Sequence, residues 1–197
     1  MGLFTPKTVT QRLFSHIPTL QTQRLILRKI SPKDAADMYE YARLPQVTRY
    51  LTWYEHESVQ YTRDYLQALQ GSYRRGEFFD WGLELKENGK FIGTCGFTDI
   101  REDYNFAEVG YVLSPAYQGR GLMSEALREV LRFGFETLCV ERIEAKHMEG
   151  NDASAAVMKR CGMSYEGRIR RRMIIKGCYE DYHLYSILKS EYKAQRS

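Results

Sequence analysis

The chain has few of the residues that staple a fold, and no long apolar run. Its 197 residues hold four cysteines, Cys95, Cys139, Cys161 and Cys178, far apart and without a C-x-x-C pair. That spacing argues against a disulfide framework or a thiolate metal site and suits buried thiols in a reducing cytoplasm. The four histidines are equally scattered, so no metal is expected. No apolar run approaches the roughly 20 residues of a bilayer-spanning helix, and no signal-peptide core opens the chain. A soluble cytoplasmic protein without a membrane partner is the expectation. Five prolines and no repeats or low-complexity runs leave no sign of an interdomain linker. Three chemical signatures are missing as well: a Walker phosphate loop, a three-glycine dinucleotide fingerprint, and the nucleophile elbow of a serine hydrolase.

What remains is ordinary globular material, with 43% hydrophobic and 27% charged residues at a mass suited to one domain. The net charge of +4 is modest for nucleic-acid binding. One basic cluster, Arg168, Arg170, Arg171 and Arg172, reads either as a charged sheet edge or as a lip for an acidic peptide or ribosomal RNA.

Hydrophobic periodicity sets the order of elements. Residues 1–21 carry little pattern and read as an N-terminal arm, and residues 191–197 as a tail. Residues 24–30 alternate as a half-buried strand. Ser31-Pro32-Lys33-Asp34 supplies an N-cap, a first-turn proline and a third-position acid, opening a helix to about Arg43. A second helix is predicted from about Ser58 to Arg75. Phe79, Trp81, Leu83 and Leu85 alternate with Asp80, Gly82 and Glu84 as a strand. Asn88-Gly89 is a hairpin turn leading into residues 91–97. A strand at 106–113, a helix from about Gly121, a strand near 142–147, a helix from Asp152 and two closing strands follow.

The run Gln118-Gly119-Arg120-Gly121-Leu122-Met123, between the strand and the helix, is the most informative stretch. Two glycines let the backbone approach a bulky ligand. The helix start beyond them offers unpaired N–H groups and a positive dipole end, which suit a pyrophosphate. A plain tight turn is the alternative.

With its surroundings, AEVGYVLSPAYQGRGLMSEAL and then NDASAAVMKRCGMSYEG, this loop resembles the acetyl-CoA-binding core of the GNAT N-acetyltransferase superfamily. Gln118, Gly121 and Met123 fall on its Q/R-x-x-G-x-G/A motif, and Asn151 with Cys161-Gly162-Met163 on its second motif. The A-E-V-G-Y strand and the Asn-x-x-Ser spacing resemble the RimJ/RimL subgroup, which acetylates ribosomal-protein N-termini.

The resemblance covers residues 22–190. It implies an α+β fold in three layers, with a mixed central sheet of about seven strands flanked by about four helices. It also implies acetyl-CoA as cosubstrate, no metal, and direct attack by a primary amine in a ternary complex. The acceptor would be a protein N-terminus, with ribosome association and a monomer or homodimer as further expectations. The cofactor would lie against backbone at Val112 and Leu113, the loop Gln118, Gly119, Arg120, Gly121, Leu122, Met123 and Ser124, and Asn151.

Glu108 is the candidate general base, in an apolar-rich strand where desolvation would make a carboxylate more basic. A structural ion pair with an arginine on a neighbouring strand is its alternative. Ser154, one turn after Asn151, is the candidate to assist the leaving sulfur. Many family members carry a tyrosine general acid where this chain has Met158, which leaves that role to Ser154, solvent, or a tyrosine such as Tyr182 or Tyr185. Two other functions stay open: acetylation of a small amine, and a non-catalytic acyl-CoA-binding or ribosome-associated factor.

Overall fold

The computed structural model describes residues 8–195. Its helices are α1 Val9–Ser15, α2 Ala35–Ala42, α3 Pro45–Thr48, α4 Val59–Arg75, α5 Leu122–Glu136, α6 Asp152–Arg160 and α7 Lys189–Ala194. Its strands are β1 Leu20–Gln21, β2 Leu25–Arg28, β3 Phe79–Leu85, β4 Phe91–Arg101, β5 Phe106–Leu113, β6 Arg142–Met148, β7 Ser164–Ile175 and β8 Cys178–Leu188. One strand and three helices exceed the expectation, all of them short. They are β1, α1, α3 and α7, whose few residues leave no periodicity to read.

The eight strands form one sheet in the order β1-β2-β3-β4-β5-β6-β8-β7. Within it only β5 and β6 run parallel, because α5 carries the chain across between them. Their ladder pairs Phe106 with Arg142 through Val109 with Ala145 and stops there. β5 continues to Leu113 and β6 to Met148, so residues 110–113 have no sheet partner on that side.

Local chemistry explains the flanking helices. The Ser31 side chain accepts the Lys33 N–H, while the Asp34 side chain accepts the Ser31 N–H at 2.8 Å. Arg28 then grips Asp34 at 2.7 Å and Glu84 at 2.5 Å, pinning the start of α2 to β2 and β3. Ser58 caps α4 by accepting the Tyr61 N–H.

Two cores lie on opposite faces of the sheet. One gathers Trp81, Leu83, Leu127 and Val130. Phe14 of α1 enters it fully buried, edge-on to Phe79, Trp81, Phe97 and Phe133. Part of the expected N-terminal arm is therefore core. The other gathers Ile30, Met38, Tyr41, Leu66 and Tyr73 between the sheet and α2 and α4.

The arginine cluster lies on β7, an edge strand, where Arg168 pairs with Asp181 at 2.7 Å. The β7–β8 ladder is interrupted between Ile169 and Met173, so residues 170–172 leave the regular edge. Only half of the expected buried thiols are buried. Cys95 and Cys161 are interior, but Cys139 and Cys178 are exposed, since both follow turns.

Candidate active site

Where β5 and β6 part company, the molecule opens. Two cavities of about 360 and 480 Å³ reach the parting from opposite sides. They share the walls Tyr50, Leu51, Tyr111, Val112, Asn151 and Ser154. A reaction between two bound molecules needs such a junction, because it lets each be held separately while their reacting ends meet.

The larger cavity runs along the loop ahead of α5. Nine of the ten residues expected to hold cofactor line it: Val112, Leu113, Gln118, Gly119, Gly121, Leu122, Met123, Ser124 and Asn151. Gly119 and Gly121 both adopt φ +74°, the left-handed region that glycine enters without strain. Gly121, the N-cap of α5, has no side chain to cap the first turn, so among the described residues its N–H groups are available to an anion. The Ser124 hydroxyl is buried without a hydrogen-bond partner, a polar group that a ligand would satisfy. The Gln118 side-chain amide donates to the Leu113 carbonyl at 3.2 Å.

Arg120 is the residue that does not line the cavity; its guanidinium lies over the Tyr117 ring. Sequence analysis missed Arg24, which fixes the loop. Its Nη1 donates to the Arg120 carbonyl at 3.0 Å, and its Nη2 pairs with Glu125 of α5 at 2.7 Å.

The smaller cavity lies on the α2 and α4 side. Glu108 lines it with both oxygens engaged. Thr98 donates to Oε1 at 2.7 Å, and Lys146 of β6 to Oε2 at 2.9 Å. The ion-pair partner considered for Glu108 is thus a lysine on the parallel neighbour. A carboxylate has about four acceptor positions, so two donors leave room for a water or an amine. The His147 ring lines the same cavity, and its Nδ1 lies 2.9 Å from the Met148 carbonyl. Burial, with a smaller contribution from His183, holds His147 below the usual imidazole range.

The segment after α3, with Tyr50, Leu51, Thr52 and Trp53, lines this cavity. Tyr50 donates to the Gly150 carbonyl at 3.0 Å, and Lys176 to the Thr48 carbonyl at 2.9 Å.

At the junction, Asn151 caps α6 by accepting the Ser154 N–H at 3.3 Å. The Ser154 hydroxyl lies 2.9 Å from the Tyr111 hydroxyl. Burial raises the Tyr111 phenol well above its ordinary range, against the hydrogen bond from Ser154. Met158 is 1% exposed within the core and contributes nothing to either cavity. Of the two tyrosines considered in its place, Tyr182 lines the smaller cavity, whereas Tyr185 packs against His147 and Tyr165. Tyr111 is the phenol that meets Ser154. Alternation along β5 placed it on the face opposite Glu108, which concealed that the parting strands open both faces.

Residues 24–164 match the family model described as acetyltransferase (GNAT) domain. The chain is 34% identical to the uncharacterized N-acetyltransferase p20 of Bacillus licheniformis over 88% of its own length and 98% of that protein. It is 27% identical to the ribosomal protein uS5-alanine N-acetyltransferase of Escherichia coli strain K12, over 92% of this chain and 97% of that one. The fold matches a GNAT-family acetyltransferase structure from Bacillus anthracis with TM-score 0.77 and 25% identity, covering 88% of this chain and 99% of that one. With the family model and the p20 match each covering most of its length, the chain belongs to the GNAT acetyltransferase family and is an N-acetyltransferase.

Proposed function

We propose that the protein moves an acetyl group from acetyl-CoA to the N-terminal α-amine of a protein acceptor, a ribosomal protein being the leading candidate. The observation that carries this reading is the meeting of two cavities, one along the loop ahead of α5 and one on the α2 and α4 side, at Tyr111, Asn151 and Ser154. The uS5-alanine N-acetyltransferase relative, aligned over nearly its whole length, supports the acceptor class. So does the smaller cavity's wall, which is largely aromatic and aliphatic and suits a peptide end better than a polycation. The catalytic domain on this reading spans residues 22–190, and the work is cytoplasmic and close to the ribosome.

Acetyl-CoA supplies an acetyl group on a thiol leaving group. The residues lining the larger cavity fit it: an uncapped helix start for the pyrophosphate, and β5 backbone at residues 110–112, which β6 leaves unpaired, for the amides of its arm. Glu108 attracts the acceptor ammonium and takes its proton through a water at a remaining lone pair. The freed amine attacks the acyl carbon; the C–N bond forms, the C–S bond breaks, and the nitrogen's second proton replaces the one that the Ser154 hydroxyl gives the sulfur. Ser154, backed by Tyr111, holds a hydroxyl proton at the junction for the departing sulfur. No covalent enzyme intermediate is needed.

Arg24→Ala removes the clamp on the loop. It should raise the KM for acetyl-CoA about tenfold, the worth of one charge-assisted hydrogen bond, while kcat changes less than about threefold. Steady-state kinetics at saturating acceptor read the split. The function itself is tested by thiol release from acetyl-CoA against peptides beginning Ala, Ser, Thr or Met, alongside spermidine and aminoglycosides. Turnover of peptides alone is the expected result; turnover of small amines alone sinks the proposal.

A further inference from the structure

Asp80, on β3, has no part in the chemistry above. Phe79, Trp81, Leu83 and Leu85 belong to the core on the α5 side, so alternation turns Asp80 to the other face. There it lines the smaller cavity. In the sheet it stands opposite Gly96 of β4, and Gly96 stands opposite Gly110 of β5. Directly opposed residues share a face, so Gly96 puts no side chain between Asp80 and the strand at the cleft, where the Thr98 methyl lies over Gly110. That row spans two strand spacings, about 10 Å. The room is needed, since a Cβ at residue 96 would sit 2.4 Å from Asp80 Oδ1.

Asp80 Oδ1 is shut off from solvent and has no hydrogen-bond partner among the described residues. The Tyr41 hydroxyl, lining the same cavity, is equally unpartnered. The wall around them is Ile30, Met38, Leu66, Leu69 and Phe78. Lys146 is the only lysine or arginine among the cavity's described lining residues, and it is paired with Glu108. Burial lifts the Asp80 carboxyl from its ordinary value to about 7. An unpaired buried carboxylate is costly to keep, and its natural complement is a cation that arrives with a ligand.

We propose that Asp80 is a specificity subsite for a second cationic group of the acceptor, an ammonium or guanidinium about 10 Å from the reacting amine, with Tyr41 taking an adjoining polar contact. It rests on the protein-acceptor reading above, in which that cation is a basic side chain within the acceptor's first few residues. A single unpaired carboxylate selects one extra charge rather than a row of them.

The test compares Ala-Lys and Ala-norleucine peptides, matched in length, and in parallel 1,7-diaminoheptane with heptylamine, using native protein and Asp80→Asn. The native protein should prefer the doubly charged member by about 10- to 100-fold in kcat/KM, the worth of one charge-assisted hydrogen bond, mostly through KM. Asp80→Asn should bring the members of the pair together. If peptides fail while 1,7-diaminoheptane outpaces heptylamine, the protein-acceptor reading falls and the subsite stands. No preference in either pair overturns the subsite, and that result needs no variant to fold. An Asp80→Asn variant that slows both members of a pair alike, through kcat, also overturns it by making Asp80 part of the proton chemistry.

Discussion

Glu108→Gln should lower kcat by about 10²- to 10³-fold, within the range for loss of a positioned general base, and leave acetyl-CoA affinity within about twofold. Glutamine keeps the shape, and its amide oxygen can still accept from Thr98. It loses the charge that faces Lys146 and the incoming ammonium. The competing account makes Glu108 half of a structural ion pair, and the two accounts separate quantitatively. The pair is partly exposed, with side-chain exposures of 16% for Glu108 and 31% for Lys146. Breaking such a pair costs about 1 kcal/mol, which moves Tm by a few degrees in a chain of this size. That loss cannot silence a folded enzyme at room temperature. Lys146→Met breaks the same pair while sparing the carboxylate, so it should keep most of the activity. Equal losses in the two variants, or a loss under about threefold in Glu108→Gln, would remove Glu108 from the proton chemistry.

Much of the architecture could be read where local signals were dense. β5 begins after Asn105, whose φ of 50° ends the preceding turn, and stops at Ser114-Pro115, and these flanking breakers mark its limits, residues 106–113. α4 runs from a serine cap to a glycine at φ +72°, again two strong signals. The glycine loop was conspicuous for the same reason. The rest depends on which faces are covered, and periodicity along one chain does not report that. In β3 the alternation of apolar with polar residues reads as one wet face. That face is roofed by α2 and α4, so Asp80 is enclosed rather than solvated. In α1 a single aromatic, Phe14, anchors a seven-residue helix, too little for a period to emerge. Tyr111 was placed on the right face, but its partner Ser154 lies 43 positions away, beyond any local pattern.

Asp80→Asn should make the empty protein more stable at pH 8 and leave it nearly unchanged at pH 4. The carboxyl's folded value is about 7 against an ordinary 3.8. Between those values the native chain keeps the proton that the unfolded chain has released. The unfolded state then binds fewer protons, so stability falls as pH rises through that window. Below about pH 4 both states are protonated and the full stability is present. Above about pH 7 both are ionised and the loss is complete.

Three units correspond to about 4 kcal/mol at most, and relaxation of the surroundings about the charge brings the expectation to about 2 kcal/mol. That is a Tm gain of roughly 4–8 °C for the variant at pH 8. The phenols facing Asp80, Tyr41 and Tyr73 with Tyr65 at about 12, are raised by burial and stay neutral throughout the window. His56 and His147 do titrate near it, but their values are lowered by burial, so they add stability as pH rises. The difference between native and variant melts, taken pH by pH, cancels the histidines and isolates the carboxylate. A pH-independent difference would show that the folded Asp80 carboxyl titrates as it does in the unfolded chain, its charge already solvated or paired. A destabilisation that ligand removes should also be restored by ligand. A lysine-bearing acceptor peptide should therefore raise the Tm of the native protein at pH 8 more than that of Asp80→Asn, and a norleucine peptide should raise both alike.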